Sequence, residues 1–340
     1  METPKKIVTY PILDDPIAGA VFLYGDFDAP NLAICCAGYP DDHEHFIPFA
    51  RDLAKKANCL VGVTCLPGYD DREDHPYTAC KPEGYSFDEM IGAMQEAVKA
   101  LRKESTYKKG TAKLTGIFHD WGVLPGVGYT NRALALANDY MIKDLCPDQV
   151  VLFDVMGPPH PETENMPIVR KDTLYEIFVT LTYRIVFATA FGIRRFVSKT
   201  LAQVYLIPNM VALGVLRIGP TLEIDAKVFE QRKVPISLDR MIYMAYPYFN
   251  MFKAMLFPGP KGAFPELSLP KDLVKTPFLY MYGTEKRIHF HDRRAVEVLK
   301  RENKEGRKSN AIAVEKAGHW LYLHQPEFCL NEVVKFVSDA

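Results

Sequence analysis

The sequence has no surplus of either charge. Its 340 residues carry 41 Lys and Arg against 42 Asp and Glu. A chain so balanced offers no basic face to lay along a phosphate backbone, which argues against nucleic acid as a partner. It also lacks any CxxC pair or Cys/His ligand spacing, so no metal site is expected. The seven cysteines are Cys35, Cys36, Cys59, Cys65, Cys80, Cys146 and Cys329, an odd number, several of them inside apolar runs. Buried reduced thiols are placed that way, and a reducing, cytoplasmic setting is expected. Met1 to Tyr10 has two lysines with no apolar stretch behind them, unlike a signal peptide. The last four residues resemble no targeting tripeptide. No stretch reaches the roughly 18 uncharged apolar residues of a membrane span. The nearest, Leu174 to Ile218, is interrupted by Glu176, Arg184, Arg194, Arg195 and Lys199. It is expected to form a lid lining a ligand site, with peripheral membrane contact as its alternative role.

What is present is an alternation of apolar runs and helical patterns. The chain is 48% hydrophobic, enough for one large α/β domain with an insertion or for two domains. Residues 6–13 and 18–28 read as opening strands. Ala33 to Ala37 is short and fully apolar, as a central parallel strand should be, and it stops at Gly38-Tyr39-Pro40. A helix follows over His45 to Lys56, then a strand over Leu60 to Cys65. Ser86-Phe87-Asp88-Glu89 is a capping box. Ile91, Met94, Val98 and Leu101 behind it make one helical stripe. Leu114 to Phe118 is another strand, Val123 to Ile142 another helix, and Gln149 to Phe153 another strand. Strand and helix alternate to this point, so a mostly parallel sheet is expected.

The texture then changes. From Gly157-Pro158-Pro159-His160-Pro161 to Pro265 only helical patterns occur, and Pro258-Gly259-Pro260 with Pro265 closes the section. Strands resume at Phe278–Tyr282 and Ala311–Val314, and a last helix runs from Glu327 to Val337. The expected architecture is a core of residues 1–157 and 266–340 with an inserted helical cap over 158–265.

The most informative segment is His119-Asp120-Trp121-Gly122. A strand, one sharp turn and a helix is the layout that presents a nucleophile above a parallel sheet. The residue at this apex is a carboxylate. An Asp there either caps the next helix or attacks a saturated carbon to leave an alkyl ester on the enzyme. His319, in Ala317-Gly318-His319-Trp320 after the last strand, is placed to reach that turn.

These motifs, with His324-Gln325-Pro326-Glu327, give a chain that resembles the epoxide hydrolase branch of the α/β-hydrolase superfamily over about residues 30–335. The resemblance implies an α/β-hydrolase fold with a helical cap. In it Asp120 opens an epoxide by attacking carbon. The backbone N–H groups of Tyr39 and Trp121 form the oxyanion hole, and His319 activates the water that cleaves the ester. It also implies two cap tyrosines that donate to the epoxide oxygen. Tyr248, in Tyr246-Pro247-Tyr248-Phe249-Asn250, is the first, and Tyr183 or Tyr175 the second. The triad acid is less determined. The family position falls on Lys286, three residues after Gly283, so Glu285 is slightly preferred, with Asp154 as rival. An apolar substrate and water are the only partners implied, with no cofactor and no metal. Oligomeric state is open.

Three positions depart from the family pattern. Phe118 stands where a small residue usually precedes the elbow, Val123 replaces a glycine, and Ala37 replaces a histidine. Gly116 is the residue that offers Phe118 space. Haloalkane dehalogenase chemistry at the same Asp120 is an alternative, though Tyr39 stands where such enzymes usually carry Asn. A hydrolase-like binding protein with an incomplete triad is a third reading.

Overall fold

In the computed structural model the described residues are 3–12, 15–136, 144–161, 174–216, 225, 228, 236–257 and 267–338. Strands β1 (Lys6–Ile12), β2 (Asp15–Tyr24), β3 (Asn31–Cys36), β4 (Cys59–Thr64), β5 (Lys113–His119), β6 (Gln149–Phe153), β8 (Phe278–Gly283) and β10 (Asn310–Val314) form one eight-stranded sheet in the order β1-β2-β4-β3-β5-β6-β8-β10. Only the β1–β2 and β2–β4 pairs are antiparallel. From β4 to β10 every pairing is parallel, as the alternating pattern predicted. Two-residue strands β7 (Val155–Met156) and β9 (Phe290–His291) pair beside it.

A parallel sheet must be covered on both faces, and the strand sequences show why this one can be. Along β3, Leu32, Ile34 and Cys36 belong to one buried cluster, whereas Ala33 and Cys35 belong to the other. That is the two-residue alternation of a pleated strand with core on each side. Helices α2 (Phe87–Glu104) and α3 (Val123–Ala135) cover the first face; α1 (Ile47–Lys56) and α10 (Pro326–Ser338) cover the second. The capping box opens α2 as expected. Ser86 N–H donates to Glu89 Oε2 at 2.8 Å, and Glu89 N–H donates to Ser86 Oγ at 3.3 Å. Helix α3 is described to Ala135; the predicted remainder, like Pro258-Gly259-Pro260 and Pro265, lies outside the described residues.

Between β7 and β8 the long described elements are helices: α4 (Leu174–Phe196), α5 (Lys199–Val215), α6 (Leu238–Met244) and α7 (Tyr246–Leu256). Of these, α4 and α7 line the cavity above the turn that carries Asp120. Helices α8 (Arg293–Lys304) and α9 (Leu321–His324) complete the described set.

Phe118 is fully buried, and the fold shows how the elbow tolerates it. A Cβ placed on Gly126 of α3 would lie 2.3 Å from the Phe118 ring, and one on Gly116 would lie 2.6 Å from it. Gly116 and Phe118 point to the same sheet face because they are two residues apart. The ring lies back over Gly116 and into the gap that Gly126 leaves in α3. Gly116 was the expected donor of space; Gly126, on a different element, gives as much.

Alanine in a helix interior normally stabilises relative to glycine by about 1 kcal/mol. At Gly126 the sign reverses, because overpacking a filled core costs about 1–3 kcal/mol. Gly126→Ala is expected to lower the thermal midpoint, and adding Phe118→Leu to recover it. A melting curve for each variant tests this; no loss in Gly126→Ala alone would refute the packing.

Candidate active site

Strand β5 delivers His119 in extended backbone, and the chain then turns within Asp120-Trp121-Gly122 before α3 starts at Val123. Asp120 takes a φ of +50°, a left-handed conformation that costs a non-glycine residue roughly 1 kcal/mol or more. The neighbours enforce it. A Cβ on Gly122 would sit 2.4 Å from the Cys36 carbonyl oxygen, and one on Gly38 would sit 2.2 Å from Trp121 N. The tip of β3 and the elbow therefore touch backbone to backbone.

The Asp120 carboxylate does not cap α3, whose first turn has no side-chain cap. One oxygen, Oδ2, accepts the Tyr39 N–H at 2.6 Å. The other, Oδ1, stands 3.5 Å from His319 Nε2. The Trp121 N–H crowds the same side of Gly38 as that carboxylate. Tyr39 thus brings a backbone donor onto Asp120, and the Trp121 N–H lies beside it.

A second carboxylate stands on the far side of the imidazole. His319 Nδ1 lies 2.6 Å from Asp154 Oδ2. Asp154 follows β6 with a φ of +65° and is fully buried. Its other oxygen meets the buried ammonium of Lys286 and accepts the Gly283 N–H at 3.3 Å. Glu285, the slightly preferred candidate, is not the carboxylate that contacts the imidazole. That side chain is exposed, and its backbone N–H bonds to the Ala317 carbonyl at 2.9 Å, turning the loop outward at that residue. The next residue turns inward, and it is a lysine. That lysine faces the Asp154 carboxylate at the end of the preceding strand.

Charge follows geometry. Burial pushes the His319 imidazole down, but its hydrogen-bonded carboxylates, Asp120 and Asp154, override that and lift its pKa from 6.5 to about 10. Burial pushes Asp154 up, and Lys286 with His319 pulls it below the usual carboxylate range. His119 is buried and driven down to about 4, first by burial and then by the His319 charge. It is neutral, and its Nε2–H donates to the His319 carbonyl at 3.1 Å.

A second layer holds this set, and sequence reading missed it. Trp320 Nε1–H donates to Asp41 Oδ2 at 2.6 Å, and His45 Nδ1 meets Asp41 Oδ1 at 2.5 Å. Asp41 sits two residues after Tyr39, and Trp320 directly after His319, so one buried carboxylate ties the donor loop to the base loop. Asp225, from the insertion, accepts the His319 N–H at 2.9 Å. Gly318 permits this, since a Cβ there would lie 2.4 Å from Asp225 Oδ1. No sequence pattern marked Asp225.

Above Asp120 lies a cavity of about 910 Å³ whose walls include Trp121, Tyr183, Arg184, Met251 and Phe290. Tyr183 faces it from α4. Arg184 Nε–H donates to the Tyr183 hydroxyl oxygen at 3.1 Å, which leaves the hydroxyl's own hydrogen for another acceptor. Tyr248 is buried with its ring against Trp121, Tyr39 and Tyr183, at centroid distances of 4.9, 5.2 and 6.0 Å. Neither Tyr175 nor Tyr248 is part of the cavity wall; Tyr175 is 48% exposed, whereas Tyr248 is buried behind that wall. Among the described residues no group of His, Cys, Asp and Glu could hold a metal ion.

No protein-family model matches this chain, and no curated protein does. Solved structures do match. An epoxide hydrolase from Vigna radiata is similar at TM-score 0.54 and 14% identity, over 95% of this chain and 94% of its own. A variant of a potato epoxide hydrolase gives 0.51 at 14% identity, over 95% and 96%. A membrane phospholipase A, described as a bacterial virulence factor, gives 0.52 at 16%, over 98% and 87%. This chain therefore has the α/β-hydrolase fold.

A histidine whose folded pKa lies above its unfolded value stabilises the fold fully below about 6.5, and that contribution is lost as pH rises toward 10. Between pH 6.5 and about 8.5, stability should fall with a slope of up to about 1.4 kcal/mol per pH unit more than in His319→Gln. Urea unfolding of both proteins across that range checks it; parallel slopes would refute the two-carboxylate assignment. Lys286→Met should cost about 3–5 kcal/mol, because it strands the buried Asp154 charge, whereas Glu285→Gln should change stability by under about 0.5 kcal/mol.

Proposed function

We propose that this protein is a hydrolase, and specifically that it opens an apolar epoxide to a vicinal diol through an ester on Asp120. The observation that carries the reading is an Asp at a strained elbow with its carboxylate 3.5 Å from an imidazole that a second carboxylate holds at 2.6 Å. Seryl and cysteinyl hydrolases place a neutral side chain there. A carboxylate suits displacement at saturated carbon, where it forms an alkyl ester directly. The epoxide hydrolases among the similar structures support the same reading.

The protons balance on the groups present. At neutral pH Asp120 is the nucleophile and His319 is imidazolium. Asp120 attacks an epoxide carbon, the C–O bond breaks, and the oxygen takes a proton from the hydroxyl of Tyr183, with Tyr248 as the second donor. The imidazolium returns that proton to the tyrosine and becomes neutral. Esterification has by then removed the Asp120 charge that stabilised the imidazolium, so the transfer is downhill. Neutral His319 takes a proton from water, and the hydroxide adds to the ester carbonyl carbon of Asp120. The oxyanion is met by the Tyr39 and Trp121 N–H groups, each worth roughly 2.7–4 kcal/mol in such a site. Collapse leaves the water oxygen on the carboxyl group. The departing alkoxide takes the carboxyl proton, giving diol, Asp120 carboxylate and imidazolium. Apolar walls such as Leu124, Met156 and Leu267 suit an apolar substrate.

A single turnover in ¹⁸O-labelled water, with enzyme in excess over an epoxide, tests this. Unlabelled diol and label in the peptide containing Asp120 are expected. Label directly in the diol would refute the ester, and no turnover of any epoxide would refute the activity. His319→Gln should slow ester hydrolysis about 10²–10⁴-fold, so that the intact protein gains the substrate's mass. Tyr183→Phe should slow ester formation instead, by a factor of about 10², with no adduct accumulating.

A further inference from the structure

The insertion turns an apolar surface outward. On α4, Leu174, Phe178, Leu181 and Ile185 are exposed, Leu174 at 87%, and their spacings of four, three and four put them on one helical face. On α5, Val204, Ile207, Val211 and Val215 are exposed, Val215 at 76%, and the helix buries only Ala202, Leu206 and Leu213. Helix α4 packs against both α5 and α7. At the end of α7, Leu256 and Phe257 are 71% and 73% exposed. Scattered exposed apolar residues are ordinary, but a contiguous patch of this kind marks an interaction surface.

Charge selects the occupant. Arg195, Lys199 and Lys253 are exposed on these helices. The acid on α4 among the described residues is Glu176, engaged by Arg293, and Asp239 of the neighbouring α6 is engaged by Arg194 and by Lys199 at 3.6 Å; both acids are largely buried. The patch is thus apolar with a basic border and no exposed acid among the described residues. A second copy would meet it through the same patch and set like charges together. An anionic lipid surface would neutralise them. The other face of α4, with Tyr183, Phe187 and Phe191, is buried against the protein, so α4 is suited to lie in an interface rather than to cross it. The patch is also continuous with the cavity. Leu174 and Ile177 are exposed and at the same time line its wall.

We propose that the outer face of α4, α5 and the end of α7 seats the protein on an anionic membrane surface, with the cavity mouth against the lipid. This binding does not depend on the epoxide reading and is read without turnover. The full chain is floated with phosphatidylcholine vesicles and with vesicles holding about 30 mol% phosphatidylserine. Binding should be at least about tenfold stronger to the anionic vesicles and should weaken as salt screens it. The triple variant Val204→Glu, Ile207→Glu, Val211→Glu should lose binding at least about tenfold, with its circular dichroism unchanged. Arg195→Gln, Lys199→Gln, Lys253→Gln leaves the apolar patch intact and should erase the preference for anionic vesicles. Wild type that stays with neither vesicle, or variants that bind like wild type, would overturn the proposal. So would a dimer in light scattering that the triple Glu variant splits into monomers, since a second copy would then be what covers the face.

Discussion

The site is organised by one imidazole held between two carboxylates. His319 has Asp154 on one nitrogen and Asp120 near the other, inside a protein where little water screens them. Coulomb energies there are several times those in water, so the imidazolium state becomes the resting state despite the cost of burying it. Every nearby peculiarity serves that geometry. The positive φ at Asp120 and at Asp154 turns both carboxylates toward the ring. Gly318 leaves room for Asp225 to hold the His319 backbone. His119, kept neutral by burial, donates to the His319 carbonyl from below.

Two like charges facing one cation would leave a net negative centre, and Lys286 offsets it. Its ammonium lies on the Asp154 oxygen that His319 does not use. The buried chain of charges then alternates: Lys286, Asp154, His319, Asp120. In the reaction proposed above, formation of the ester would delete the last member. The imidazole then sits beside a carboxylate already engaged by an ammonium, so its hold on the proton drops when a base is needed. A triad lacking the lysine would keep the proton more tightly at that stage.

Much of this was legible in the sequence, and the limits have physical causes. The elbow could be read because strand, turn and helix each leave a local pattern, and the base because its loop follows the last apolar run. The identity of the acid could not, because Asp154 and Glu285 both end parallel strands on the same side of the imidazole, and choosing between them needs side-chain direction. Lys286 was visible as a misplaced residue, but its meaning depended on the partner. Phe118 was visible as a violation; half of its accommodation was local, at Gly116, and half lay eight residues on, at Gly126 of a different element. Asp225 left no trace, since one acid within a helical pattern is most often a solvated residue. Asp41 left no mark either, because its role appears only where it is fully buried between the Tyr39 and His319 loops.

The insertion and the core are coupled through single contacts. Asp225 belongs to the insertion, yet it satisfies a buried N–H of the base loop, and leaving such a group unpaired costs about 1–3 kcal/mol. Tyr183 and Arg184 belong to α4, yet they complete the cavity wall over Asp120. Asp154 and His319 are buried beneath these contacts, and burial strengthens the charge pairing between them. The outer side of the same helices faces away from the chemistry and carries the apolar surface. One helix therefore carries Tyr183 and Arg184 over Asp120 on its inner side and presents Leu174 and Ile177, exposed at the cavity edge, on another.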